Sequence, residues 1–178
     1  PCVTFVDSLD PHELLHVRMH DSYNLPLFSE GDHGMYDAMR RALADARENP
    51  EVKVVLLHGT PDVFCAGNDL KGFDNRDPDT PSPGLKFLCV LQAFNKPIVA
   101  AVSGIAVGVG VTMLLHCDLA YAAEDTRFRL SFINLGLCPE AGSSLLLPAS
   151  AGVKKAAEVM MLGDFFDTAT ALELGIVN

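Results

Sequence analysis

Two glycine-punctuated turns constrain this chain more than any other feature of it. Phe64-Cys65-Ala66-Gly67-Asn68-Asp69-Leu70 and Gly104-Ile105-Ala106-Val107-Gly108-Val109-Gly110 each join a strand-like run to a helix-like run. A chain that repeats this join stacks its strands in layers and covers them with helices. Such turns can also aim backbone N–H groups at an oxyanion.

The flanking runs follow the same rhythm. Leu15, Val17 and Met19 alternate with His16, Arg18 and His20, the period of a half-buried strand. Met35, Met39, Leu43 and Arg47 recur every four positions beside Ala38, Ala42 and Ala46, which predicts a helix over 34–48. Asn49-Pro50 ends it. Val52–His58 is β-branched and nearly continuously apolar, as a strand covered on both faces is. A Pro- and Asp-rich loop at 74–84, a helix near 85–94, a break at Asn95-Lys96-Pro97 and a strand over Ile98–Val102 complete a second cycle. Residues 108–116 are apolar nearly all round and predict a buried helix, followed by a strand over Cys117–Ala122. Helices are expected over Lys154–Leu162 and Thr168–Leu174, the latter with Thr168 as N-cap. The fold class is α/β with repeated β-β-α cycling: residues 1–150 form the core and 151–178 begin a C-terminal helical region.

Composition bounds the function. With 178 residues, 49% of them hydrophobic, the chain suits one domain with a sizeable core. A formal net charge of −10 argues against a nucleic-acid footprint and against holding an anionic membrane by charge. No apolar run reaches the roughly 20 residues of a membrane span, and the basic-then-apolar order of a signal peptide is not seen. Five cysteines without CxxC spacing suggest reduced thiols, hence an intracellular protein. A bacterial cytoplasm is the first expectation, the peroxisome or mitochondrion if the source is eukaryotic. His12, His16, His20, His33 and His58 show no metal-ligand spacing, so no metal is expected. A start at Pro1 and a stop just after Leu174-Gly175-Ile176-Val177 predict a piece of a longer chain.

One acid stands out. Pro139-Glu140-Ala141-Gly142-Ser143-Ser144 puts the Glu140 carboxylate at the mouth of an expected helix in apolar surroundings, a candidate general base. Proline and acids also suit a first helical turn for structural reasons alone, and the glycines suit tight turns. Asp69 reads as a cap or turn former. His116-Cys117-Asp118 runs into an expected buried strand and reads as packing, while Ser143 and Ser144 lack a GxSxG elbow. Phe132, Leu135 and Leu137 would raise the Glu140 pKa and a helix N-terminus would lower it, a balance that sequence leaves open.

The AGxDL turn, Lys96-Pro97-Ile98-Val99-Ala100-Ala101-Val102-Ser103-Gly104, the run Cys117-Asp118-Leu119-Ala120-Tyr121-Ala122 and the PExxSS segment occur in an order that resembles the enoyl-CoA hydratase/isomerase (crotonase) superfamily. The likeness runs from about Val52 to Val177. It implies a spiral of β-β-α units whose C-terminal helical part is truncated or missing, an acyl-CoA thioester as ligand, no separate cofactor, and a homotrimer or dimer of trimers. It implies oxyanion donors at the backbone N–H groups of Asn68 and Val109. Substrate contacts are implied at Cys65, Ala66, Gly67, Asp69, Leu70, Gly108, Gly110, Phe132 and Leu137. Hydratases of the family carry two glutamates, at places that hold Thr112 and Phe132 here. Glu140 matches the single catalytic glutamate of Δ3,Δ2-enoyl-CoA isomerases of the peroxisomal type, so the expected reaction is transfer of a double bond from C3 to C2. Dienoyl-CoA isomerisation, a hydratase-like reaction and a non-catalytic acyl-CoA-binding module are the alternatives. The segment Asn24–Asp32 departs from the Arg-Pro turn usual in the family.

Overall fold

The computed structural model describes residues 14–18, 31–68 and 80–178, with side chains from Met35 onward. The strands among these residues form two four-stranded sheets. The first, in the order β1 (Leu14–Arg18), β2 (Val54–His58), β4 (Ile98–Val102), β6 (Leu119–Ala122), is parallel throughout. The second, β3 (Val63–Cys65), β5 (Ile105–Val107), β7 (Arg127–Arg129), β8 (Phe165–Asp167), is parallel except for the antiparallel β7–β8 pair.

The expected cycling generates this arrangement. Each of the pairs β2–β3, β4–β5 and β6–β7 gives its first strand to the first sheet and its second to the other. Parallel neighbours require a crossover, and helices supply it: α1 (Gly31–Glu48), α2 (Pro83–Gln92), and α3 (Val109–Thr112) continued by a 3-10 turn over Met113–His116. Further on come α4 (Ser143–Ala151), α5 (Val153–Leu162) and α6 (Thr168–Glu173). The segment after residue 150 is tied to the core, since β8 pairs with β7 and Phe166 stacks on Phe128 at 5.6 Å.

Local sequence explains the elements, with small shifts from expectation. α1 begins three residues before the predicted start, and its buried stripe is Tyr36, Met39, Leu43 and Ala46. Arg47, expected on that stripe, instead reaches the Ala93 carbonyl with Nη2 at 2.9 Å. Lys96 closes the other side, donating Nζ to the carbonyls of Ala46 and Asn49 at the end of α1. Val54, Val55 and Leu57 are buried, as a strand covered on both faces requires. α2 is capped by Ser82, which accepts the Leu85 N–H at 3.1 Å, with Pro83 at the first helical position. The predicted Thr168 cap is corrected by one residue: Asp167 is the cap and accepts the Thr170 N–H at 2.8 Å, because its side chain leaves extended backbone just before the first turn.

Between the layers lies a continuous core that includes Phe64, Phe87, Phe128, Ile98, Met113 and Leu147, all nearly or wholly buried. At the outer side of β6, Asn178 donates its backbone N–H to the Ala120 carbonyl at 2.6 Å and accepts the Ala120 N–H on its side-chain oxygen at 2.9 Å. Among the described residues no helix is long and apolar enough to cross a membrane. Met19, His20 and most of the predicted 74–84 loop lie outside the described residues.

Candidate active site

The two glycine turns meet because their strands are neighbours. β3 and β5 run parallel with Val63 opposite Ile105 and Cys65 opposite Ala106. Asn68 and Val109 therefore both follow the carboxyl ends of adjacent strands, the side of an open α/β sheet where ligands bind. Gly67 takes φ +92°, and a Cβ there would stand 3.1 Å from the Val107 carbonyl oxygen. The approach at Gly110 is closer still, since a Cβ would fall 2.6 Å from the Cys65 carbonyl oxygen. Only glycine lets α3 lie against β3 at this separation.

Val109 is the first residue of α3 and is buried. A first-turn amide has no acceptor within its own helix. The Gly108 carbonyl is taken by the amides of Val111 and Thr112 at 2.9 and 3.0 Å, and no carbonyl among the described residues accepts from Val109. Tyr36, buried on α1, donates its hydroxyl to the side-chain oxygen of Asn68. That tether holds the second expected donor from another element.

Glu140 comes to α3 from the opposite direction. Thr112, the last residue of α3, donates Oγ1 to Glu140 Oε1 at 2.5 Å. The carboxylate is thus fastened one helical turn from the Val109 amide. Its segment is held by backbone bonds as well: Ser143 gives both its N–H and its hydroxyl to the Glu140 carbonyl, at 3.0 and 2.6 Å. His116 Nε2 lies 2.8 Å from the Ala141 carbonyl oxygen, which makes it the protonated nitrogen of that pair. Ala141 has φ +55°, a left-handed backbone that costs a non-glycine residue of the order of 1 kcal/mol or more. Gly142, at φ +66°, follows it and caps α4.

Burial pushes the Glu140 carboxyl above its ordinary value, and the Thr112 hydrogen bond and nearby His116 pull it partly back. The competition left open by sequence is decided by position: α4 starts at Ser143, so Glu140 lies outside its first turn. The expected apolar neighbours differ in burial. Phe132 is buried, but Leu135 and Leu137 are 43% and 39% exposed. The Glu140 segment is tied to α3 and the turn after it through Thr112 and His116.

The other expected site residues separate clearly. Cys65 is buried beneath Gly110, Ala66 is exposed, and Gly67 and Gly108 shape the two turns. Asp69 and Leu70 lie outside the described residues. Cys117 is structural, its thiol pushed up to about 12 by burial and by Asp118. Asp118 itself accepts the Ile98 N–H at 2.7 Å. His116 alone of that run turns toward Glu140. Thr112 and Phe132, at the two places where family hydratases carry acids, are both buried and neither carries a carboxylate. Among the described residues no group of three His, Cys, Asp or Glu could hold a metal ion. A groove of about 500 Å³ between α5, β8 and α6 is lined by none of these residues.

Sequence reasoning did not find Tyr36, Ser143 or His116 as parts of the site, nor Thr112 as a partner of Glu140. The only signal was indirect. Tyr36 sits on the buried stripe of α1, and a buried tyrosine hydroxyl needs a partner.

Comparison with known proteins places the chain in a family. The family model Enoyl-CoA hydratase/isomerase matches residues 31–178. The chain is 33% identical over 153 residues to 1,2-epoxyphenylacetyl-CoA isomerase of Escherichia coli (strain K12), covering 80% of this chain and 58% of that protein. It is 33% identical over 147 residues to the mitochondrial enoyl-CoA hydratase of Pongo abelii, covering 82% and 51%. Among solved structures, Pseudomonas aeruginosa OdaA superposes with a TM-score of 0.84 at 40% identity, covering 96% of this chain and 68% of the other. The chain thus spans between half and three fifths of these two curated relatives.

Proposed function

The chain belongs to the enoyl-CoA hydratase/isomerase family, and from that premise we propose that it moves the double bond of a 3-enoyl-CoA to the 2-enoyl position through a dienolate. One observation carries the choice of reaction. Among the described residues a single carboxylate, Glu140, is fastened to α3, while Thr112 and Phe132 occupy the two places where, by the family resemblance, a hydratase would carry its acids.

One carboxylate suffices for this chemistry. Glu140 takes a proton from C2, the C2–H electron pair enters the dienolate, and negative charge gathers on the thioester oxygen. The protonated Glu140 returns that proton to C4, and the double bond settles between C2 and C3. Nothing is added or lost, and coenzyme A is part of the substrate and not a cofactor. The backbone N–H groups of Asn68 and Val109 bind the thioester oxygen, each worth about 2.7–4 kcal/mol of barrier in comparable sites. A carboxyl raised above its ordinary value suits the shuttle, because it is a stronger base toward the C2 proton than an ordinary carboxylate. Addition of water needs a second positioned acid or base, so the isomerase reading is preferred although relatives include a named hydratase. The family resemblance favours assembly as a homotrimer.

Conversion of trans-3-hexenoyl-CoA, followed by the absorbance of the conjugated thioester, tests this reading. Wild type turns over, and Glu140→Gln loses at least about a thousandfold in kcat while still binding the acyl-CoA. Retained turnover in Glu140→Gln would remove Glu140 from the mechanism. Hydration of 2-hexenoyl-CoA by wild type would favour the hydratase reading.

A further inference from the structure

We propose that Thr112 is a positioning residue that holds one oxygen of Glu140, Oε1, and so assigns proton transfer to the other, Oε2. The catalytic consequence rests on the isomerase reading above; the positioning itself rests on the geometry of α3.

Three observations carry it. The Thr112 hydroxyl lies 2.5 Å from Oε1, a short bond of the kind a charged acceptor makes. Thr112 is fully buried, its N–H is tied to the Gly108 carbonyl at 3.0 Å, and a β-branched side chain in a helix has few χ1 choices. The hydroxyl is therefore a fixed donor. At the other end of the segment, His116 and Ser143 hold the backbone on both sides of Ala141, so the Glu140 side chain leaves from a fixed point as well. A carboxylate free to rotate would present two equivalent oxygens in many poses. One pinned at Oε1 presents Oε2 alone, and the same atom can take the proton at C2 and return it at C4.

Thr112→Val keeps the branched shape without the donor, and Thr112→Ser keeps the donor without the branch. Among the described residues Glu140 meets Thr112 from α3 and His116 from the turn after it, so the pH profiles are also run in a His116→Gln background, which removes the imidazole. In Thr112→Val, kcat for trans-3-hexenoyl-CoA falls roughly tenfold or more while KM stays within about twofold. The acid limb of its kcat profile moves to higher pH, because a bond that favours the ionised carboxylate has gone. Thr112→Ser restores both. Unchanged kcat and limb in Thr112→Val, or an equal loss in Thr112→Ser, overturns the proposal. Should Thr112→Val fail to fold, Thr112→Ala repeats the comparison with Thr112→Ser.

A second readout needs no turnover. The carboxyl infrared band of Glu140, isolated as the difference from Glu140→Gln, titrates at higher pH in Thr112→Val than in wild type. An unchanged midpoint overturns the positioning role. If wild type isomerises nothing and the midpoint still rises, the isomerase reading fails alone and the positioning role stands.

Discussion

Glu140 makes the folded protein less stable, and the sign follows from its environment. Its folded pKa lies above the unfolded value because burial disfavours the charge more than Thr112 and His116 favour it. Between those two values the folded state holds more protons than the unfolded state, so stability falls as pH rises through the window and the full penalty persists above it. Glu140→Gln removes the charge and keeps an oxygen to accept from Thr112. The variant is therefore expected to melt a few degrees higher than wild type near pH 8. It should show no such gain near pH 3, where the carboxyl is protonated in both states. Thermal unfolding at the two pH values checks this, and an equal gain at both would mean that charge is not the cause. Glu140 itself was legible because an acid between Pro139 and an apolar run is conspicuous along the chain. Its partners were not. Thr112 lies 28 residues away and shows in sequence only as a missing acid. Tyr36 lies 32 residues from Asn68, and no local pattern encodes that meeting.

At the scale of elements, α3 joins the donors to the base, and its position depends on one hydrogen atom. Gly110→Ala places a methyl 2.6 Å from the carbonyl oxygen of Cys65, a backbone atom that cannot rotate away. Forcing α3 from β3 is expected to cost about 1–3 kcal/mol in urea unfolding, as overpacking does elsewhere. It should also lower kcat, since the Asn68 and Val109 amides move apart. A variant with wild-type stability and rate would show that the contact is softer than it looks. Elements were read well where periodicity alone decides them: β4 spans Ile98–Val102 as expected, and α5 starts only one residue early. They were read less well where geometry at an end decides. The stripe of α1 keeps Met39 and Leu43 but changes at both ends, where Tyr36 goes inward in place of Met35, and Ala46 is buried while Arg47 finds a carbonyl at the rim. The predicted helix over 108–116 divides into a turn of α-helix and a 3-10 turn, a change that leaves the same apolar residues buried and that side-chain periodicity cannot report.

For the whole molecule, repeated cycling was visible in the sequence but the pairing was not. Strands that follow one another in the chain separate into different sheets, and only long-range register reveals it. The proposed trimer belongs to this scale. Leu145, Val153 and Met161, on α4 and α5, are 73%, 72% and 70% exposed, apolar side chains that an interface between copies would cover. Charging that surface with Val153→Glu and Met161→Glu is expected to lower the mass seen in sedimentation from trimer to monomer. A trimer that survives both changes would place its contacts elsewhere, and a wild-type monomer would end the trimer reading. The edge of the first sheet meets its surroundings differently. β6 is an outer strand of a parallel sheet, and such a strand offers unpaired amides and carbonyls to any extended chain that passes. Asn178 pairs with it, its main chain and side chain together satisfying both polar groups of Ala120. At Ala120 the strand therefore offers another extended chain no free amide or carbonyl from which to start pairing, a protection supplied by a residue with no part in the chemistry.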